Sequence, residues 1–405
     1  MKRTKLILVT SGFPFGGHET FLETEIKYLC KSFDKVQIMA VDPESETLRS
    51  VPENCSVNSI YTKSGFSQKI KALAGIIDPR TRAELRIIRK TYGISINKGI
   101  LSTLLVSLQR AKEIRQQFLP FIENNQKTLF YSYWCDDSAL ALALLSEKRN
   151  ALKTVCRIHG WDVYFDRSTL GYLPYRHYIH KQLSAIYSIS EDGINYAKNA
   201  WNVSGEKLKL SRLGIEAQNP LPQRTDGIFT LFSCSNLIPV KRVHLIAEAV
   251  KELDGQIPLR WVHIGDGPAR PKIEQIVANL SEKTEVRFTG RLPNEEVFKL
   301  YRELCPDVFI NVSISEGVPV SIMEAMSYGI PVIATDVGGN SEIVNETNGF
   351  LLSSNYEKQE LVDKLNYVLS TNNLGNLKKG AFDTWKENYS AKINYEKFTD
   401  LLLKL

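Results

Sequence analysis

Short apolar runs, each followed by a stretch of helical spacing, recur along the chain and restrict its fold more than any other feature. In the first half, Lys5–Thr10 stops at Ser11-Gly12, and Glu19–Cys30 then sets Phe21, Leu22, Ile26 and Leu29 on one helical face. Val36–Val41, Thr128–Tyr133, Thr154–Ile158 and Ala185–Ser190 read as further strands. Gly99–Phe118 reads as a long amphipathic helix, and another helix starts at Glu191. The pattern breaks at Arg212–Gly227, which holds Pro220 and Pro222 and shows no apolar period. It then restarts, with strands at Phe229–Cys234, Leu259–Ile264, Glu285–Phe288, Val308–Val312 and Pro331–Ala334. Helices fall between them at Val243–Leu253, Pro271–Leu280, Asn294–Leu304 and Pro319–Tyr328. Such alternation predicts parallel sheets with helices on both faces.

A chain of 405 residues is too long for one ordinary core. The expected division is residues 1–211, a linker at 212–227, residues 228–388, and a helix at 389–405 that packs back on the first domain. Ligands of open parallel sheets bind beyond the carboxyl ends of the strands, so the polar strand-end loops of the two domains are expected to face each other across a cleft. With 43% hydrophobic and 24% charged residues the chain is globular rather than disordered. Its six cysteines, Cys30, Cys55, Cys135, Cys156, Cys234 and Cys305, form no close pair of the zinc or redox type. They read as isolated thiols of a reducing compartment, which argues for the cytoplasm. The start Met-Lys-Arg-Thr-Lys imitates a signal peptide, but Leu6–Val9 is too short for a signal core, and no apolar run is long enough to span a membrane.

The net charge of +6 is unevenly placed: between Tyr61 and Arg115 twelve Lys and Arg face only Asp78, Glu84 and Glu113. A solvated surface, a face for anionic lipid or a lipid diphosphate, and a nucleic-acid patch are the three explanations. No nucleic-acid motif accompanies the last.

The segment from Ser315 to Met326 carries the most chemistry. A strand ends, the turn Glu316-Gly317-Val318 follows, and a helix begins at Pro319, a residue suited to a first helical position. Backbone N–H groups at that helix start would be free to hold a diphosphate. Eight residues of helix span about 12 Å. Glu316 and Glu324 are then too far apart for a hydrolytic pair, which needs roughly 5–9.5 Å. They suit the two ends of an extended ligand, although each alone could be an ordinary helix-surface charge. Lys241 lies in Ser235-Asn236-Leu237-Ile238-Pro239-Val240-Lys241-Arg242, where it is either a solvated side chain or a partner for diphosphate charge. Gly338-Gly339-Asn340, Gly265-Asp266-Gly267 and Gly12-Phe13-Pro14-Phe15-Gly16-Gly17-His18-Glu19 are glycine-containing strand-end loops, each with a plain turn as the simpler explanation. His159-Gly160-Trp161-Asp162 ends a strand, where a histidine is as often structural as reactive. No nucleophile elbow, Asp-x-Asp pair or metal-ligand cluster appears.

Taken together, Glu316 and Glu324 resemble the E-x7-E signature of retaining glycosyltransferases of the "glycosyl transferases group 1" type, which have two Rossmann-like domains (the GT-B fold). The resemblance implies that Glu316 contacts the donor sugar and Glu324 the ribose of a UDP- or GDP-linked sugar, with Gly317, Val318 and Pro319 beside the phosphates. It implies diphosphate binding by Lys241 and by the Gly338-Gly339 loop, and a structural role for the GDGP turn at Gly265. Asn236 stands where many members carry Arg, which leaves one cation missing and Arg242 as the candidate replacement. The Gly16-Gly17 loop is implied near the donor phosphates, with His18, Glu19 and Asp162 on the acceptor side and His159 close to the reacting sugar. The catalytic set is then His159, Lys241 and Glu316, with no metal and no cofactor. The implied function is transfer to a saccharide acceptor in capsule, exopolysaccharide or lipopolysaccharide synthesis, and the basic stretch Tyr61–Arg115 adds the expectation that the first domain touches an anionic membrane face to reach a lipid-linked acceptor. The alternatives are a non-catalytic nucleotide-sugar-binding partner subunit and a non-hydrolysing nucleotide-sugar epimerase.

Overall fold

The computed structural model describes residues 5–17, 19–63, 65, 71–122, 128–149, 151–222, 224–370 and 374–405. The chain divides into two compact units, Met1–Ser211 with Tyr395–Leu405, and Arg212–Asn394. Each is built on a parallel sheet and is Rossmann-like.

The first unit contains β1 (Lys5–Thr10), β2 (Lys35–Val41), β3 (Cys55–Ile60), β4 (Thr128–Ser132), β5 (Lys153–Ile158), β6 (Ala185–Ser188) and β7 (Leu208–Leu210). They lie in the order β3-β2-β1-β4-β5-β6-β7, and β1 pairs in parallel with β2 and β4 through Leu6↔Val36 and Leu6↔Leu129. Leu6, Ile7, Leu8 and Val9 are all at most 1% exposed, so β1 is covered on both faces, as a central parallel strand must be. Ile7 and Val9 enter one core with Leu104, Leu108 and Phe130. Leu6 and Leu8 enter the other with Leu22, Leu129, Phe398 and Leu402.

In the second unit β8 (Phe229–Cys234), β9 (Leu259–Ile264), β10 (Thr284–Phe288), β11 (Val308–Asn311), β12 (Val332–Thr335) and β13 (Gly349–Leu352) form a sheet of order β10-β9-β8-β11-β12-β13. The order reverses at β8 and β11, and at β1 and β4 in the first unit. These are the switch points beside which ligands of such sheets bind.

Several expected elements shift. The first helix starts at Leu22 rather than Glu19, because Glu19 is left-handed at φ 54° and its carboxylate folds back onto the preceding loop. β3 escapes an apolar-run criterion because it alternates half-exposed and exposed polar residues at the sheet edge. The stretch 212–227 is irregular and lies on the second unit: Leu221 N–H donates to Tyr328 O at 3.0 Å and Arg224 Nη1 to Leu304 O at 2.6 Å.

A fully buried ion pair ties the first unit's layers together. Arg157 Nη1 of β5 reaches Glu25 Oε2 of the Leu22–Ser32 helix at 2.7 Å, and Tyr131 OH of β4 donates to Glu25 Oε1 at 3.0 Å. Removing one partner of such a pair leaves the other charge buried and alone. Arg157→Met is therefore expected to lower the stability of this unit by about 3–5 kcal/mol, read from the midpoint of its denaturant unfolding transition.

Candidate active site

In the second unit the loops beyond β8 and β11 bring Lys241 and Glu316 together. Lys241 closes a short 3-10 turn, Pro239–Lys241, and its Nζ donates to Glu316 Oε1 at 2.6 Å. Asn311 Nδ2, at the end of β11, donates to the same oxygen at 3.2 Å. The two loops are also joined through their backbones, Ile314 N–H to Val240 O at 2.8 Å. The site thus pairs a cation with a carboxylate at the switch point, both side chains largely but not wholly covered.

Glycines hold this arrangement by permitting backbone-to-backbone approach. Gly338 has φ 54°, and a Cβ there would stand 1.9 Å from Glu316 O. At Gly339 a Cβ would meet Gly317 O at 2.5 Å, and Gly339 N–H already donates to that oxygen at 2.7 Å. That amide is spent on the Glu316-Gly317 backbone rather than left open for a phosphate. Gly265 and Gly267 do the same for the other loop: Cβ atoms would lie 2.0 Å from Ser235 O and 2.4 Å from Leu237 O.

Arg242 is not brought to Lys241 and Glu316 as a second open cation. It is left-handed at φ 48°, and its guanidinium donates to Val312 O at 2.8 Å, Ser313 O at 3.3 Å and Ser354 O at 3.1 Å, above the Tyr356 ring. It therefore braces the chain leading into the Glu316 turn. Asn236 is exposed in the neighbouring loop. The helix after the turn runs Val320–Ser327, with Pro319 as its N-cap residue and Gly317 and Val318 just before it. Glu324 lies in that helix, 7% exposed, and burial pushes its carboxyl up to about 7 against the opposing hydrogen bond from Asn294.

Sequence patterning gave no sign of a relay beneath the site. Trp261 Nε1 donates to Ser233 Oγ at 2.9 Å, Ser233 Oγ stands 2.8 Å from His263 Nδ1, and His263 Nε2 is 3.1 Å from Ser235 O. A carbonyl only accepts, so Nε2 carries a proton and Ser233 donates to Nδ1. Burial lowers His263 to about 4, so the ring is neutral and fixes the Ser235 carbonyl at the start of the Lys241 loop. The β8–β9 register sets Ser233 opposite His263, a pairing invisible without knowing which strands are neighbours.

In the first unit the loop after β1 is gathered by Glu19. Its carboxylate accepts from the N–H groups of Ser11 (3.1 Å), Gly12 (2.9 Å) and Phe13 (2.7 Å), and from Trp134 Nε1 at 2.6 Å. Gly16, at φ 60°, is pinned through its N–H to Thr47 O at 2.9 Å, whereas Gly17 has open space around it. His18 lies outside the described residues. Asp162 is fully buried and accepts from the N–H groups of Cys135, His159 and Gly160, so it shapes the loop. His159 sits between Trp134 and Tyr133, with ring centroids 4.4 and 4.6 Å away. Burial lowers its pKa although Asp162 opposes that, and the 3.8 Å from Nδ1 to Asp162 is too long for a hydrogen bond. A neutral imidazole results, with neither nitrogen hydrogen-bonded among the described residues. Trp161, 47% exposed and tilted by 40° against Trp134 at 5.2 Å between ring centroids, lines two cavities. One, of about 300 Å³, also has Gly12, Glu19 and Asp42 in its wall; the other, of about 450 Å³, has Arg110, Asp137 and Arg176.

Two outcomes follow. Gly338→Ala should cost roughly 1–3 kcal/mol of strain and lower the melting temperature well beyond Gly17→Ala, because only the former drives a Cβ into a backbone oxygen. An unfolded glutamate ionises near 4.5 and Glu324 near 7. Folding then weakens as pH rises through that window, by about 3 kcal/mol once above it. Glu324→Gln should flatten that part of the stability–pH curve, measured by denaturant titration at several pH values.

Comparison with known proteins agrees with this architecture. The chain is similar to a putative colanic acid biosynthesis glycosyltransferase, WcaL, of Escherichia coli, 27% identical over 213 residues, which cover 49% of this chain and 52% of the relative. The matched stretch is thus about half the length of that relative. It is 24% identical over 379 residues to the amylovoran biosynthesis glycosyltransferase AmsK of Erwinia amylovora, covering 86% of each. Among solved structures, Anabaena Alr3699/HepE in complex with UDP superposes with a TM-score of 0.69 at 16% identity, over 99% of this chain and 100% of that one. That likeness shows the shared GT-B fold. Residues 217–380 match the family described as "Glycosyl transferases group 1", and the second unit is therefore a glycosyl transferases group 1 domain.

Proposed function

We propose that the chain transfers a sugar from a UDP- or GDP-linked donor to a saccharide acceptor, carried on a lipid, in the synthesis of a bacterial surface polysaccharide. The observation that carries the proposal is the Lys241–Glu316 pair at the β8/β11 switch point. In the free protein the carboxylate neutralises the lysine. When a donor arrives, its diphosphate takes over the ammonium as a stronger partner, and Glu316 is released to accept from sugar hydroxyls. Leaving-group charge would be met by Lys241 and by amides at the Val320–Ser327 helix start, an electrostatic strategy that asks for no metal. Glu324 would accept from the ribose. His159, neutral and without hydrogen-bond partners on its ring nitrogens among the described residues, is the first unit's candidate catalytic residue. Among the described residues no acid/base or nucleophilic pair accompanies Glu316, which favours front-face attack with retention of configuration. The names of the relatives from Escherichia coli and Erwinia amylovora support the polysaccharide setting, and the UDP held by the Anabaena protein supports the donor class. Such an acceptor places the enzyme at the inner face of the cytoplasmic membrane.

Calorimetry with UDP, GDP, ADP and their sugars tests the donor site. One nucleotide should bind, and Lys241→Ala should weaken it by about tenfold or more, the loss of one charge-assisted contact. Glu316→Gln should leave nucleotide binding near wild type and lower transfer by about a hundredfold or more. If Glu324 binds the ribose as a carboxylate, donor binding below pH 7 releases a proton. The measured enthalpy should then vary with the buffer's ionisation enthalpy, and Glu324→Gln should abolish that variation.

A second reading has one observation in its favour: Asn236 leaves the Lys241 loop without the usual arginine, as in a subunit that binds nucleotide sugar without turning it over. Nucleotide binding with no transfer to any acceptor would favour it, and binding of none of the nucleotides would remove both readings.

A further inference from the structure

Residues 71–98 turn a basic and aliphatic face to solvent. Three large apolar side chains stand exposed within five residues: Leu73 at 56%, Ile76 at 46% and Ile77 at 69%. They belong to a turn whose other side is anchored. Ala72 is 2% exposed, and at Gly75 a Cβ would come within 3.1 Å of Leu105 Cδ2 in the Lys98–Phe118 helix. The turn cannot roll its aliphatic side inward without losing that contact.

The next helix, Pro79–Lys90, starts cleanly, with Pro79 in its first turn and Asp78 as a cap accepting from Arg80 N–H at 3.0 Å. Thr81, Glu84 and Ile88 face inward. Arg82, Arg86 and Arg89 follow at helical spacing on the opposite side, with Lys90 beside them, all exposed. Lys71 and Lys98, at the ends of the stretch, are exposed too. Both acids of the stretch point away from this surface. Asp78 is held by Arg80 and Lys112, each at 2.8 Å, and Glu84 accepts from Tyr172 OH and Tyr175 N–H. Arg80 is drawn off to Asp78 and Glu147. No ion pair is formed by Lys71, Arg82, Arg86, Arg89, Lys90 or Lys98 among the described residues.

Six unpaired cations beside three protruding aliphatic side chains fit an anionic bilayer better than any other partner. Lys and Arg near such a surface are drawn to its headgroups, while Leu and Ile insert at the acyl boundary. Nucleic acid would use the cations, but contact with its phosphates asks for no exposed aliphatic cluster and its unpaired bases stack on aromatic rings rather than on Leu73, Ile76 and Ile77. We propose that this face of the first unit docks on an anionic lipid surface, with Leu73, Ile76 and Ile77 as the inserted edge and Arg82, Arg86, Arg89 and Lys90 on the headgroups. Docking is not part of the transfer chemistry, and it deepens the proposed function by naming how a lipid-carried acceptor is approached.

The test is flotation of the full chain with vesicles of phosphatidylethanolamine and phosphatidylglycerol, against phosphatidylcholine alone, at low and high salt. Binding is expected only with the anionic vesicles and should fall with salt. L73E/I77E and R82E/R86E/R89E should each reduce it about tenfold or more, while melting temperature and nucleotide affinity stay at wild type. Absence of binding, binding to both vesicle types alike, or binding unchanged in either variant would overturn the proposal. Retention of an RNA duplex without vesicle binding would overturn it in favour of nucleic acid. Nucleotide affinity is read separately on the same proteins, so failure of the donor site and failure of docking are distinguishable.

Discussion

Close approach of backbone to backbone is the constraint on which the second unit's site depends. The strand-end loops after β8 and β11 are each pressed against another turn with no room for a single side-chain carbon. Gly265 and Gly267 do this at Ser235 and Leu237, and Gly338 and Gly339 at Glu316 and Gly317. Packing of this kind sets where the carbonyls and amides stand, and through them where Lys241 and Glu316 point. Arg242 adds to it by spanning carbonyls from two segments, and the neutral His263 by fixing the Ser235 carbonyl. The reactive-looking residues are few, and most of the surrounding chemistry holds loops still.

The first unit uses side chains for the same purpose. Glu19 collects three amides and an indole with one carboxylate, and Asp162 collects three amides with another. Carboxylates so engaged have little capacity left for a ligand, so they give shape to the pocket and leave contact to others. Those others are aromatic: the neighbouring Trp134 and Trp161 and the neutral His159. A wall of flat apolar rings edged with polar loop atoms suits the faces and hydroxyls of a sugar.

Much of this was legible in the sequence because parallel strands buried on both faces read as continuous apolar runs. β1, β8 and β9 therefore stood out, as did the helices at Val243–Leu253 and Asn294–Leu304. β3 and β13 did not: the one is polar at the sheet edge, the other short and opened by Gly349. The helix Asp137–Ser146 was missed for the opposite reason, since it is buried all round and has no polar face to give a period. Of the site, Glu316 and Lys241 were singled out by segments that resemble motifs of a known family, but their contact and the engagement of Arg242 depend on which loops the topology makes neighbours. The His263 relay is a cross-strand register effect with no trace along the chain.

The first unit's core includes Phe398 and Leu402, 1% and 0% exposed. Phe398 packs edge-on to Tyr131 and Tyr187, and the buried Arg157 guanidinium lies 4.2 Å from its ring. These partners lie on three strands, β4, β5 and β6, made long before residue 398. During synthesis, then, the first unit emerges from the ribosome with an open seam over its central strands. It must wait through the making of the entire second unit before the missing piece arrives. The domain that is first in the sequence is the last to be completed.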